Sequence, residues 1–427
     1  MIGIRTVLPL CMGLSLFAGN CVMPSACVMP SAVGGGMLEG ASSAAQEPAL
    51  PGLASSSRND GFERHGYVGD KVCATCHRKE AEAYARTGHR LSSQWPSSRS
   101  ILGNFDAGAN LLVIKQASQD EPGLSFRMDR SSSGFYETAV IGWPGASTKL
   151  SERIDVVIGS GRRGQTYLFW KADRLFELPV SFWTKGQRWI NSPGYEDGSA
   201  NFSRPAIPRC LECHATYVQP LSPDFLTNRY VPSTLVLGID CETCHGPGRS
   251  HVRLHLGSLR RKANASENIL NPTKFARERQ IDLCALCHNG SRQEQLRAAF
   301  TYQPGDDLNR YLMSNSKVAT VPDVHGDQVG LLQMSRCYLS SPKMTCSTCH
   351  DVHAPEQPVA LYSAKCLGCH QARQCAVVRK TPASANNCID CHMPVQQTSG
   401  LVSETAGQVI YAKLRSHWIR VYAPQAR

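Results

Sequence analysis

Hydrophobic and polar positions along the chain divide it into stretches of different character. After Arg5 comes an apolar run over residues 7–18, then small residues, which reads as the charged and apolar regions of an export signal. Cleavage after Ala45 fits that pattern, and Ala26 or Ala32 would also serve. The run is shorter than the roughly 20 apolar residues needed to cross a bilayer, and no later stretch approaches that length. Residues 78–87 are helix-like and end at Gly88. Over 101–205 the pattern changes to short β-branched and aromatic runs between turn residues, at 110–115, 154–158, 166–170 and 175–180. These predict an antiparallel β insert. Within it, Gly159-Ser-Gly161-Arg-Arg-Gly164 matches a dinucleotide fingerprint, but a strand-like run follows where that fingerprint needs a helix N-terminus, so a hairpin turn is expected.

Composition adds a feature that packing does not explain: nineteen cysteines beside fourteen histidines in 427 residues. Their spacing is decisive. Cys-x-x-Cys-His occurs at Cys73, Cys76 and His77; at Cys210, Cys213 and His214; at Cys241, Cys244 and His245; and at Cys284, Cys287 and His288. It recurs at Cys346, Cys349 and His350; at Cys366, Cys369 and His370; and at Cys388, Cys391 and His392. Chance gives about 0.03 matches from this composition. Two thiols at this spacing bond to the two vinyl groups on one haem edge, and the adjacent imidazole turns under the ring to ligate iron. Zinc also takes paired Cys-x-x-Cys units, yet it does not require a histidine after every second cysteine. The reading is therefore seven haem c groups with their iron. Cys337 and Cys375 remain outside the leader and the motifs, and an oxidising compartment allows a disulfide between them.

Seven further histidines stand outside the motifs, enough for a second axial ligand to every haem: His65, His89, His251, His255, His325, His353 and His417. His89 falls at the end of the helix-like run. His251 follows the tight turn Gly246-Pro-Gly248, which redirects the chain away from its own proximal ligand. His255 shares a helical face with His251, and one of the pair suffices; His65 and His255 stay undecided. The His251/His255 spacing of a zinc protease helix lacks its glutamate, since Val252 stands there. His325, His353 and His417 complete the candidate ligands. Met334 and Met393 are alternatives that would raise a potential.

The expected organisation is a leader over 1–45, a linker over 46–62, a first haem segment over 63–100, the β-rich insert over 101–205, and a six-haem domain with a C-terminal tail over 206–427. From Cys210 to His392 there are about 30 residues per motif, and a compact unit of that length has a radius of gyration of roughly 16 Å. Haems so crowded would be near neighbours and would supply the apolar core themselves. The expected fold class is thus a mainly α or irregular multihaem cytochrome fold with little regular secondary structure, plus the β insert.

Residues 67–77, the Cys-x-x-Cys-His-Gly-Pro-Gly-x-x-His element over 241–251, and residues 387–394 resemble the multihaem cytochromes related to the tetrahaem cytochrome c of ammonia-oxidising bacteria. The similarity covers most of 63–420. It implies periplasmic electron transfer, with His251, His353 and His417 as distal ligands. Partner binding through the tetratricopeptide repeats of longer members is not expected. The Cys-x-x-Cys-Lys motif of pentahaem nitrite reductases is missing.

The formal charge of +11 is assigned to neighbours of haem propionates rather than to nucleic-acid binding. The functional reading is a periplasmic electron carrier serving redox partner proteins, with membrane association only through a partner or a lipid anchor. The alternative is a haem oxidoreductase acting on a small nitrogen or sulfur oxyanion at one open-coordinated haem.

Overall fold

The alternating runs between residues 93 and 191 build two antiparallel sheets. A computed structural model of the chain describes residues 66–256, 269–290, 293–314, 320–323 and 326–422, all within the unit Pro51–Arg427. In the first sheet, Leu111–Lys115, Gly123–Ser131, Gly134–Trp143 and Ala146–Arg153 form a meander. In the second, Ser93–Gln94, Val156–Ile158, Gly164–Lys171, Val180–Trp183 and Arg188–Asn191 lie side by side, and Arg174–Glu177 also pairs with Gly164–Lys171.

Side chains on neighbouring strand positions point to opposite faces, and the second sheet uses both. Val157, Tyr167, Phe169 and Val180 join Phe126, Met128 and Trp189 of the surrounding strands in one buried cluster. Val156, Leu168 and Leu175 face the other way, against Leu211, Val218, Tyr230 and Leu235. Burying each such side chain stabilises by about 1.5–3 kcal/mol. The sheet thereby ties the meander to the motif-bearing part of the chain. Gly159 and Gly161, with φ of 97° and 81°, turn the chain between Val156–Ile158 and Gly164–Lys171, which pair antiparallel. The glycine fingerprint is a hairpin connection.

The expected fold class is corrected here. The chain is 27% helix and 29% strand, with several antiparallel sheets, so it is neither mainly helical nor poor in regular structure. Beyond the expected insert, Ala215–Pro220 pairs with Tyr230–Leu237, Gln293–Gln295 with Leu312–Ser314, and Val395–Thr405 with Gln408–Arg415. The last pair shows why the pattern was missed. It closes through Ala406 and Gly407 at φ of 49° and 74°, the doubly left-handed geometry of a tight hairpin turn. Its apolar run Val409-Ile410-Tyr411-Ala412 is exposed or half-buried and builds no core. Its edge is held instead by polar contacts to a distant strand: Asn191 N–H donates to Thr405 Oγ1 at 3.0 Å, and Ser403 Oγ donates to the Asn191 carbonyl at 2.7 Å.

The helices are short and carry the motifs: Asp70–Ala74, Pro208–His214, Cys241–His245, Arg277–His288, Val359–Leu367 and Cys388–His392. From Cys346 onward, Ile389 is the one buried apolar side chain among the described residues. That segment cannot rest on an apolar core of its own.

Glu177, mostly buried beside Arg204 at 3.3 Å, joins the second sheet to the segment leading into the second motif. Burial pushes its carboxyl from the ordinary 4.5 up to about 7, against the pull of Arg204. A raised acid favours the folded state at low pH, and that stability is lost as pH rises through about 7; the loss is roughly 3 kcal/mol. The expected outcome is that melting temperature falls between pH 5 and pH 8, and falls less in Glu177→Gln, measured by thermal unfolding of the purified holoprotein.

Candidate functional site

All seven motif histidines open onto one connected cavity of about 4030 Å³. Pockets for a single small molecule measure roughly 300–1,000 Å³, so this space suits several large groups. His89, His251, His255, His353 and His417 line it too. His65 and His325 lie outside the described residues.

Four motif imidazoles face an imidazole from elsewhere in the chain. Ring centres are 6.3 Å apart for His77 and His251, 5.9 Å for His288 and His89, 5.9 Å for His245 and His353, and 6.2 Å for His350 and His417. An imidazole nitrogen sits about 2 Å from a bound transition metal, and its ring centre about 1.1 Å further, so trans ligands put ring centres roughly 6.2 Å apart. The four spacings fit imidazoles on opposite sides of one metal and exceed direct contact. His255 is exposed and lies 4.5 Å from His251, not opposite a motif histidine. The structure thus sets His251, the histidine already preferred from the Gly-Pro-Gly turn, opposite His77.

Backbone carbonyls aim these rings. His245 Nδ1 donates to the Leu270 carbonyl at 2.8 Å, and His392 Nδ1 to that of Arg420 at 2.9 Å. A carbonyl only accepts, so Nδ1 carries the proton and Nε2 remains for a metal. His417 is pinned through its neighbours: Ser335 Oγ donates to the His417 carbonyl at 3.1 Å and accepts from Ile419 N–H at 2.7 Å. Burial, then the adjacent His350, lowers His417 to about 4. It is neutral at pH 7, the form a metal takes. Burial likewise lowers His89, His245 and His350.

His89 reaches His288 because its segment is sewn to the second and third motifs. Ile239 N–H donates to the His89 carbonyl at 3.0 Å, and Ser92 and Ser93 hydroxyls donate to the His214 carbonyl at 2.9 and 2.6 Å. Gly238, at φ 74°, lets Arg90 pass: a Cβ there would sit 2.3 Å from the Arg90 carbonyl oxygen.

The motifs also touch one another. Side chains meet between Cys73 and Cys241, between Cys213 and Cys287, and between Cys284 and Cys346. His353, opposite the third motif's histidine, follows the fifth motif directly. Burial, then the Cys388 and Cys349 thiols, push Cys366 up to about 11, which brings the fifth, sixth and seventh motifs into one neighbourhood. Each motif therefore has a neighbour. Cys337 and Cys375 are both unbridged and line the same cavity.

Two residues that sequence reasoning passed over sit at variable positions inside motifs. Glu242 is fully buried and accepts from Gly248 N–H at 2.7 Å, Gly69 N–H at 2.7 Å and Val68 N–H at 3.0 Å. Glu212 pairs with Arg209 and accepts from Phe300 N–H at 2.7 Å. The signal available was a carboxylate between the two cysteines of a motif, and both glutamates lie on the motif helices. Nine Lys and Arg against six Asp and Glu line the cavity, so its walls are cationic.

Residues 170–246 match the family of cytochrome c554 and c-prime. A C-type polyheme cytochrome, OmcC, of Geobacter sulfurreducens is 23% identical over 164 residues, which are 38% of this chain and 20% of that protein. The chain thus matches about a fifth of the length of this relative. The crystal structure of the outer cell wall cytochrome OcwA superposes with a TM-score of 0.52 at 16% identity, over 83% of this chain and 80% of that one, a likeness of fold.

The chain is similar to multihaem c-type cytochromes.

Within the site, Glu242 braces the first motif's helix against the turn after the third. Glu242→Ala would strand three backbone donors and is expected to cost on the order of 3 kcal/mol. Differential hydrogen exchange should show the loosening at residues 66–72, ahead of the rest of the protein.

Proposed function

We propose that this cytochrome is exported to the periplasm, carries seven haem c groups on its seven motifs, and moves electrons between redox partner proteins. The observation that carries the reading is the set of four facing histidine pairs on motifs that touch one another. When bound, haem iron supplies a one-electron couple whose potential depends on its axial ligands and burial.

The chain's residues do the rest. Cysteines anchor the groups at fixed points. The pairs His77 and His251, His245 and His353, His288 and His89, and His350 and His417 would each hold one haem iron. Carbonyls of Leu270 and Arg420 hold Nδ1 protons so that Nε2 points inward. Cationic walls neutralise propionates, which accounts for the basic charge without nucleic acid. Sulfur contacts link the first motif to the third, the second to the fourth and the fourth to the fifth, while His353 bridges the third and fifth. The sixth and seventh continue that series. Crowded centres of this kind favour hopping through the chain over chemistry at one iron.

His89→Ala, His251→Ala, His353→Ala and His417→Ala are each expected to convert a single low-spin ferric haem to high spin, leaving the others unchanged. Low-temperature EPR of the ferric variants reads this directly. His255→Ala should leave the spectrum as in the wild type. Loss of no low-spin signal in the four ligand variants would overturn the assignment.

A further inference from the structure

Residues 357–389 contain Lys365, Arg373, Arg379 and Lys380 and no Asp or Glu. Every other motif has carboxylates close in sequence: Asp70 and Glu80 near the first, Glu212 in the second, Glu242 in the third, Asp282 before the fourth, Asp351 after the fifth and Asp390 in the seventh. The sixth motif alone sits in an uninterrupted cationic segment.

All four cations are exposed, and they divide by direction. Lys365 lines the cavity, as propionate neighbours should. Arg373, Arg379 and Lys380 do not, although Gln371, Ala372 and 374–378 around them do. Their polar contacts are with uncharged groups: Arg373 Nε donates to the Gln371 side chain at 2.9 Å, and Arg379 to the Arg373 carbonyl at 3.4 Å. Three unneutralised charges therefore face solvent rather than the bound groups. Leu361 of the same segment, which does not line the cavity, is 52% exposed. Cys369 and His370 of the motif open onto the cavity behind the segment. Apolar contact rimmed by one sign of charge suits a protein interface formed by steering and released quickly.

We propose that Arg373, Arg379 and Lys380, with Leu361, form the docking face for an acidic redox protein that exchanges electrons through the sixth motif. The inference rests on the electron-transfer reading above. In each encounter one electron leaves the partner's reduced centre and one ferric site of this chain becomes ferrous. An anionic membrane would meet the same charges, but it takes up no electron, and nothing in it requires the cations to cluster around a motif.

The test is stopped-flow reduction of the oxidised holoprotein by flavodoxin hydroquinone, an acidic protein donor, and by methyl viologen radical, a small cation. The variant Arg373→Glu/Arg379→Glu/Lys380→Glu is compared with Arg130→Glu/Lys149→Glu/Lys171→Glu, three exposed positions in the β-rich region with the same change in charge. At low ionic strength the first variant should react with flavodoxin about tenfold more slowly than wild type, and the difference should vanish near 0.5 M salt. The second variant should stay within about twofold of wild type, the steered patch being local. Equal slowing of both variants, or of neither, overturns the proposal. So does loss of a haem from the first variant by mass, or wild-type sedimentation with phosphatidylglycerol vesicles without faster reduction by flavodoxin. Should the triple variant not fold, Arg379→Gln/Lys380→Gln must show the same direction of effect. A wild type that methyl viologen radical does not reduce would instead sink the electron-transfer reading itself.

Discussion

Imidazoles that must face one another from distant segments constrain the whole molecule. A motif fixes one histidine locally, because cysteines and histidine share a single helical turn. The opposing histidine comes from wherever the fold can deliver it: His89 from the first segment, His251 from the helix after the Gly-Pro-Gly turn, His353 from just beyond the fifth motif, His417 from the C-terminal hairpin's exit. Delivering a ring to a spacing near 6 Å needs rigid backbone behind it, and the hydrogen bonds of Ile239, Ser335, Ser92 and Ser93 provide that. Metal coordination demands such supporting contacts as much as the ligands.

The chain divides the labour of stability accordingly. The β-rich region has apolar clusters of its own, built from both faces of one sheet. The segment from Cys346 onward has Ile389 as its single buried apolar side chain among the described residues, and its short helices surround the cavity instead. On the proposed reading, ordering of that segment follows from the groups it would hold and from polar ties such as Asn191 to the last hairpin. Cations divide in the same way. Those lining the cavity serve its interior, while Arg373, Arg379 and Lys380 point outward.

Sequence alone revealed the chemistry far better than the architecture. The seven motifs are local, because vinyl spacing dictates residue spacing, so they were legible at once. The strands near Val157, Tyr167 and Phe169 were legible because burial on both faces leaves long apolar runs. The C-terminal hairpin was not, since Ser403, Thr405 and Asn191 hold it by polar contacts that leave no periodic trace. Which histidine faces which motif was equally hidden: His89 and His288 meet through tertiary structure only. Glu242 gave no signal in the sequence, because its role depends on backbone donors from Val68, Gly69 and Gly248. The turn before His251 already favoured it over His255, but did not show that the motif histidine it meets is His77.

The central claim is that every motif holds a haem in the shared cavity. Intact mass of the mature protein under denaturing conditions, which retains covalently bound haem, tests it most directly when paired with the pyridine haemochrome absorbance. The account predicts seven haems per chain, with no motif thiol left to alkylate. A smaller number, or free thiols at any Cys-x-x-Cys-His pair, would contradict it.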